Sequence, residues 1–495
     1  MIALTLSEAA EVLDIALEDS APAGAQILEL VIDSRAVRPG SLFVALGGER
    51  VDGHSFVPAA LASGAVAAVT ERPVPEASGP CLVVEDAVRA LGQLARHQVD
   101  RAAARGLQVL AITGSQGKTS TKDLLAQILE RVGPTVAPYG NLNNELGVPL
   151  TASRVDGQTQ FLVVEMGARG VGHIAYLCGI TPPRTGVVLN VGHAHLGEFG
   201  SQRAIAVAKG ELVEALPEDG CAVLNADDPL VWAMRARTSA PVFAFSVLTE
   251  PDTARAVWAS DISSDELERH RFVLHGKVGD SHGRAEVELW LSGRHHVANA
   301  VAAAAAATAV GVDLGLIAES LSAAELRSRS RMKMHERSDD VVVINDAYNS
   351  NPDSARAAVD TLAEIGRARR SRTPGARTWA VLGDMLELGE AADEEHAALG
   401  RHVAGAGVDR LVTVGHFASP LAAGAVQAGL AARNVLVAAD KTEAAQHLLA
   451  HLRTGDSVLV KASRGLALET VAEELWSAAP ARSPAAEVAE SEVPG

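Results

Sequence analysis

Apolar and polar positions fall into three successive patterns along this chain. In the first hundred residues, short apolar runs are separated by turn residues. Leu6 to Leu17 has helical spacing, while Leu28 to Ile32 and Ser41 to Leu46 read as strands joined by the turn Arg38-Pro39-Gly40. Val66 to Val69 and Cys81 to Val84 read as further strands, and Asp86 to Arg105 predicts a helix leading out of the unit. A second pattern opens at Val109-Leu110-Ala111-Ile112. Strand runs at Phe161 to Val164, Thr185 to Leu189, Cys221 to Leu224 and Val242 to Phe245 alternate with helical segments. Such alternation predicts a mostly parallel sheet with helices on both faces. Residues 255–292 break it with short alternating runs that suggest antiparallel strands, followed by an Ala-rich helix from Val297 to Val310. The third pattern begins near Arg331, with strands at Val341 to Ile344, Trp379 to Leu382, Arg410 to Val414 and Ser457 to Val460.

The expectation is an α/β chain of three domains. Residues 1–100 form a small α/β domain, 101–326 a central P-loop ATPase-like domain with a mostly parallel sheet, and 327–477 a Rossmann-like domain. Residues 478–495, rich in Ala, Pro, Ser and Glu, read as a disordered tail. A length of 495 residues suits several cores of this size.

Composition narrows the function classes. The net charge of −18 argues against a nucleic-acid partner, though an acidic protein can still carry a local basic pocket for an anion. No stretch has the length and apolarity of a membrane span, and the N-terminus lacks a basic region followed by an apolar run, so the expected location is the cytoplasm. Cys81, Cys178 and Cys221 are far apart in apolar surroundings and read as buried thiols.

The chemistry starts at Gly114-Ser115-Gln116-Gly117-Lys118-Thr119, with Ser120 following. This segment lies between a buried strand and a helical pattern. Backbone N–H groups at a helix start can cradle phosphate oxygens, a lysine supplies a point charge, and a threonine hydroxyl suits Mg²⁺. Only two residues separate the glycines, where the common loop has four. Such a loop shows nucleotide-phosphate binding and does not separate a ligase from a hydrolase, a kinase or a switch.

Polar residues at strand ends extend the picture. Glu165 ends a strand at the edge where open α/β sheets bind ligands; it suits Mg²⁺, or a helix cap or surface ion pair. His195, in Asn190-Val191-Gly192-His193-Ala194-His195, is on chemistry alone a phosphate contact or a structural histidine, because hard cations prefer oxygen. Lys209 lies in a helical pattern and alone reads as solvated. Asp346 opens Asp346-Ala347-Tyr348-Asn349-Ser350-Asn351-Pro352, where an acid can accept ribose hydroxyls and Asn351-Pro352 can start a helix.

These residues, in this order, resemble the Mur ligases of peptidoglycan synthesis. Several segments strengthen the likeness: Asp33-Ser34-Arg35 with Pro39-Gly40, Asp52-Gly53-His54, Gly140-Asn141-Leu142-Asn143-Asn144, Gly147-Val148-Pro149-Leu150, Leu382 to Gly389, and Lys461-Ala462-Ser463-Arg464-Gly465. The resemblance covers about residues 28–475. It implies an ATP-dependent amide-bond ligase using Mg²⁺, in which a peptide carboxylate is activated as an acyl phosphate and attacked by an amine. The substrates it implies are UDP-N-acetylmuramoyl-tripeptide and D-Ala-D-Ala, and the chain would be a monomer. The catalytic residues would be Lys118, His195 and Lys209. Thr119 and Glu165 would hold one Mg²⁺, and His195 and a carbamylated Lys209 a second. ATP would meet the loop residues 114–120, Asn299 at adenine, Arg331 at the phosphates (with Arg327 and Arg329 as rivals) and Asp346. Asp33, Ser34 and Arg35 would lie near uridine diphosphate, and Asn143 and Asn144 at the muramoyl end. Relatives often carry Asn where this chain has His296, and Gly where it has Ala462. The rival readings are another step of the same family, a folylpolyglutamate synthase, or a nucleotide-gated binding protein.

Overall fold

The computed structural model describes residues 1–19, 21–48, 51–192, 199–325, 327–328 and 330–478. Three sheets carry the sites. The first is a four-stranded parallel sheet of Glu29–Val31, Ser41–Val44, Ala67–Thr70 and Cys81–Val83, in that order. Its two leading strands are parallel neighbours, so Arg38-Pro39-Gly40 ends a crossover through the 3₁₀ turn Ser34–Ala36 and is not a hairpin. The N-terminal helix is shorter than its spacing predicts. It spans Leu6–Val12 and stops because Asp14 turns to a left-handed φ of 55°. A two-stranded antiparallel pair, Leu4–Thr5 with Gln26–Ile27, was not foreseen.

The second sheet has nine strands. Gln108–Thr113 lies between Phe161–Glu165 and Thr185–Val188, with Cys221–Asn225 and Val242–Ser246 beyond. These pairs are all parallel. The segment read as antiparallel forms long strands, Arg255–Ser264, Arg269–Val278 and Ser281–Ser292, that extend this same sheet. Strand order reverses around Gln108–Thr113, which makes its C-terminal end the switch point where such sheets bind ligands. The Ala-rich helix His295–Ala309 is buried along nearly its whole length against this sheet and the helix Lys118–Glu130. Its small side chains allow that close approach.

The third sheet runs Lys333–Glu336, Val342–Asn345, Ser457–Lys461, Thr378–Gly383, Arg410–Val414, Val435–Ala438. It is parallel except for its first strand. Lys333–Glu336 and Val435–Ala438 were not foreseen: both are short edge strands with largely exposed or half-exposed side chains, so they carry a weak apolar pattern. Among the described residues, no helix is long and apolar enough to cross a membrane. The tail read as disordered lies outside the described residues, apart from Ala478.

Candidate active site

One cavity of about 910 Å³ opens at the C-terminal edge of the second sheet and is walled by elements of all three. The helix Ala87–Ala103 that follows the first sheet contributes Arg89, the second contributes the phosphate loop, and the third contributes Asp346 and Lys461.

The loop geometry follows from its glycines. Gly117 caps the helix Lys118–Glu130 with φ 82°, and a Cβ there would stand 2.3 Å from Asn299 Oδ1. Only glycine meets both demands. Gly114 does not line the cavity; a Cβ there would meet Leu189, and its carbonyl accepts from Lys118 Nζ at 2.8 Å. Asn190 grips the loop from the next strand. Its Oδ1 accepts from the backbone N–H of Ser115 and of Gln116, each at 3.0 Å, and its Nδ2 donates to the Gln116 carbonyl. Sequence reasoning missed this role, since Asn190 lies 75 and 74 residues from its two partners.

Thr119 Oγ1 donates to Glu165 Oε2 at 2.8 Å, and Asn143 Nδ2 donates to Glu165 Oε1 at 2.7 Å. Glu165 is buried; both of these hydrogen-bond donors are neutral, and Lys118 acts on the carboxylate through space. Arg331 Nη2 donates to Thr119 Oγ1 at 3.3 Å and the guanidinium lies 4.4 Å over the Tyr348 ring. Its rival Arg327 instead makes a surface fork with Glu130, and Arg329 lies outside the described residues. Lys209 is buried on the cavity wall with no hydrogen-bond partner among the described residues. Loss of water, and then the charge of Lys118, hold its amine well below the ordinary lysine range. Lys118 is also lowered, by desolvation against the opposing pull of Glu165. His195 lies outside the described residues.

Asp346 is committed differently. Its Oδ2 accepts from buried Lys461 Nζ at 2.6 Å and its Oδ1 from the Met332 N–H. Lys461 Nζ also donates to the Asn349 carbonyl, Ser463 Oγ accepts from the Leu386 N–H, and Arg464 lies 5.5 Å from the Tyr348 ring. The three segments of the third domain thus converge, which gives the Lys461 segment the role its sequence did not reveal. Asn299 lines the cavity beside Gly117. His296 lines it too, fully buried with both ring nitrogens unpartnered. Asn144 lines the cavity while its Oδ1 caps the Gly147 N–H. Asp33, Ser34 and Arg35 do not reach the cavity; Asp33 and Arg35 pair with each other at the surface. Ala462 is buried 2.8 Å from where a Cβ on Gly383 would fall, so the extra methyl packs against bare backbone.

A phosphate loop at a switch point, with a buried strand-end carboxylate beside its threonine, defines a nucleotide-binding enzyme of the P-loop class. The comparisons make this specific. The chain matches the Mur ligase family catalytic domain over residues 26–99, the Mur ligase middle domain over 112–307 and the Mur ligase glutamate ligase domain over 330–464. It is 43% identical, over 96% of its length and 98% of the relative's, to UDP-N-acetylmuramoyl-tripeptide–D-alanyl-D-alanine ligase of Mycobacterium tuberculosis (strain ATCC 25618 / H37Rv). The ligase of the same name from Escherichia coli (strain K12) is 36% identical over 96% of this chain and 99% of its own. A crystal structure of MurF from Acinetobacter baumannii superposes with a TM-score of 0.84 at 33% identity, covering 96% of this chain and 99% of that one. MurF ligase from Thermotoga maritima in complex with ADP gives 0.74 at 28%, covering 90% and 97%. The chain belongs to the Mur ligase family.

Proposed function

We propose that this chain joins D-alanyl-D-alanine to the C-terminal carboxylate of UDP-N-acetylmuramoyl-tripeptide, converting ATP to ADP and phosphate in cytoplasmic peptidoglycan precursor synthesis, and that it acts as a monomer. The observation that carries the reading is the single cavity in which the phosphate loop, the Asn143-Asn144 segment and the Asp346-to-Asn351 segment meet. The near full-length identity to relatives of that activity supports it.

In this reading residues 1–100 hold the UDP end, 101–326 hold ATP and 327–477 close over both. The donors of the loop are self-satisfied in this structure. ATP would draw Lys118 Nζ from the Gly114 carbonyl and the Ser115 and Gln116 N–H groups from Asn190 to phosphate oxygens. A carboxylate oxygen of the tripeptide then bonds to the γ-phosphorus as the bond to ADP breaks. The amine of D-Ala-D-Ala attacks the acyl carbon, loses a proton, and phosphate leaves. Two anions must approach each other for the first step, and Lys118 and Arg331, both on the cavity wall, would offset their repulsion. His296 and Asn299 suit the nucleobase, because unpartnered buried ring nitrogens favour a ligand with matching polar edges. Asp346 would turn its remaining acceptor capacity toward the ribose. Asp33, Ser34 and Arg35 would meet uridine diphosphate only after the first domain moves.

The donor set fits Mg²⁺. Thr119 and Glu165 offer oxygen donors already in mutual contact. Mg²⁺ takes one or two carboxylates, with phosphates and water supplying the rest. When bound, it would neutralise charge on the transferring phosphoryl group. Lys209 and His195 would serve a second ion. A neutral Lys209 amine is the form that adds to CO₂, losing a proton to give an anionic carbamate. Lys209→Ala should then lose activity and regain part of it with short carboxylates; a fully active variant overturns this role.

The test of the whole reading is phosphate release from ATP. It should require both UDP-muramoyl tripeptide and D-Ala-D-Ala. Release with a single amino acid, or with no acceptor, would assign a different activity.

A further inference from the structure

A second cavity, of about 440 Å³, lies at the opposite edge of the third sheet. Its walls come from the starts of Thr378–Gly383, Arg410–Val414 and Val435–Ala438 and the end of the helix Lys441–His451. The active-site residues Asp346 and Lys461 stand at the far ends of their strands. A five-residue strand is about 16 Å long, so the sheet itself separates the two cavities.

Four arginines line this small space: Arg377, Arg410, Arg433 and Arg453. The neighbouring carboxylates are already committed. Asp456 is fully buried and accepts from Arg377, from Trp379 Nε1 at 3.0 Å and from the Arg453 N–H. Asp409 pairs with Arg370 and accepts from the Thr378 N–H. Glu443 accepts from the Ala439 N–H. Arg410, Arg433 and Arg453 make no ion pair among the described residues. Arg377 and Arg410 lie 5.1 and 5.7 Å from the Trp379 ring, which floors the pocket. His447 and His451 stack at 4.2 Å along one wall. Burial, then His451 and Arg410, lower the His447 pKa against the opposing pull of Glu443. This concentration of unneutralised guanidinium groups sits on a chain of net charge −18. Like charges gathered in a concave site repel one another, and a multiply charged anion relieves that cost. The concavity suits a small molecule better than a flat protein face.

We infer that this pocket is a second anion site, distinct from the ATP site, that binds a small phosphate-bearing molecule through Arg410, Arg433 and Arg453. Guanidinium forks match phosphate oxygens in pairs, and the His447–His451 wall offers ring edges beside them.

The test is calorimetric titration of inorganic pyrophosphate into the full chain and two variants. Wild type should bind two equivalents, Lys118→Ala one, and the double variant Arg433→Glu/Arg453→Glu one. Both substituted arginines are exposed, so the double variant should fold and keep wild-type phosphate release with both substrates. Affinity at the second site should drop about tenfold or more in the double variant and weaken with added salt. Repeating the titration of Lys118→Ala with ADP separates two sources. Tighter binding of ADP than of pyrophosphate marks a nucleotide, and equal binding marks the phosphate group alone. Two equivalents in the double variant overturn the proposal, as does a single equivalent in wild type that disappears in Lys118→Ala. Binding of polyglutamate but not of pyrophosphate would assign the pocket to an acidic polypeptide and overturn it as well.

Discussion

Glu165 and Asp346 occupy equivalent places in two different sheets. Each is a buried carboxylate at the C-terminal edge of a parallel sheet, facing the same cavity. Their partners differ. Glu165 is held by a hydroxyl and an amide, which orient the carboxylate without cancelling its charge. Asp346 is held by the ammonium of Lys461, which cancels it. The first arrangement leaves a charge for a cation; the second fixes an acceptor and ties the loop after Val342–Asn345 to the strand Ser457–Lys461. Equivalent topology therefore does not set the role of a strand-end acid. Its neighbours do.

The sharpest break of this comparison is Glu165→Gln. The amide can still accept from one neighbour, so the thermal midpoint should stay close to wild type. Phosphate release should fall about 10³-fold, or about 4 kcal/mol in the barrier. Substantial activity would move Glu165 to the structural side. Asp346→Asn should do the reverse to stability. It leaves the Lys461 ammonium buried without its counter-charge, at a cost of about 3–4 kcal/mol in urea unfolding. Asp346→Asn/Lys461→Met should recover part of that loss; if the double variant is as unstable as the single one, the ion pair is not the cause.

A pH series sharpens the same contrast, because the histidines beside Asp346 are held neutral. Burial lowers His295 to about 4 and holds His296 well below the ordinary value of 6.5. The unfolded chain binds these protons first as pH falls. Stability should thus be greatest above pH 6.5 and decline toward pH 4, by up to about 3 kcal/mol for His295. Denaturant midpoints at pH 7.5 and 5 measure this, and His295→Asn should flatten the slope. The smallest effect is expected at Tyr348, whose hydroxyl meets Asn141 across the domain junction. Tyr348→Phe keeps the ring under Arg331 and should cost about 1 kcal/mol, read as a several-fold fall in kcat/KM for the tripeptide. No change would mean that this junction does not tighten around substrate.

Much of the site was legible in the chain because it rests on short-range rules. A glycine at a helix cap, a lysine and threonine on the first turn, and an acid at a strand end are each set by a few neighbouring residues. The fold class followed from the alternation of periods. What the pattern hid was of two kinds. Edge strands such as Val435–Ala438 bury too little to imprint an apolar rhythm. Pairings across the fold, such as Asn190 with the loop and Lys461 with Asp346, 115 residues apart, leave no local trace.

Taken alone, the sequence determined the layered α/β architecture, the phosphate loop and the likeness to the Mur ligases, since each is written in local spacing and residue type. Tertiary structure decided that Arg331 and not Arg327 meets Thr119, that Asp33 to Arg35 stand away from the cavity, and that one strand-end acid is bonded by a hydroxyl and an amide while the other meets an ammonium. Those outcomes depend on which distant groups share a buried space. In that space a partner's charge and the loss of water outweigh anything the neighbouring residues can dictate.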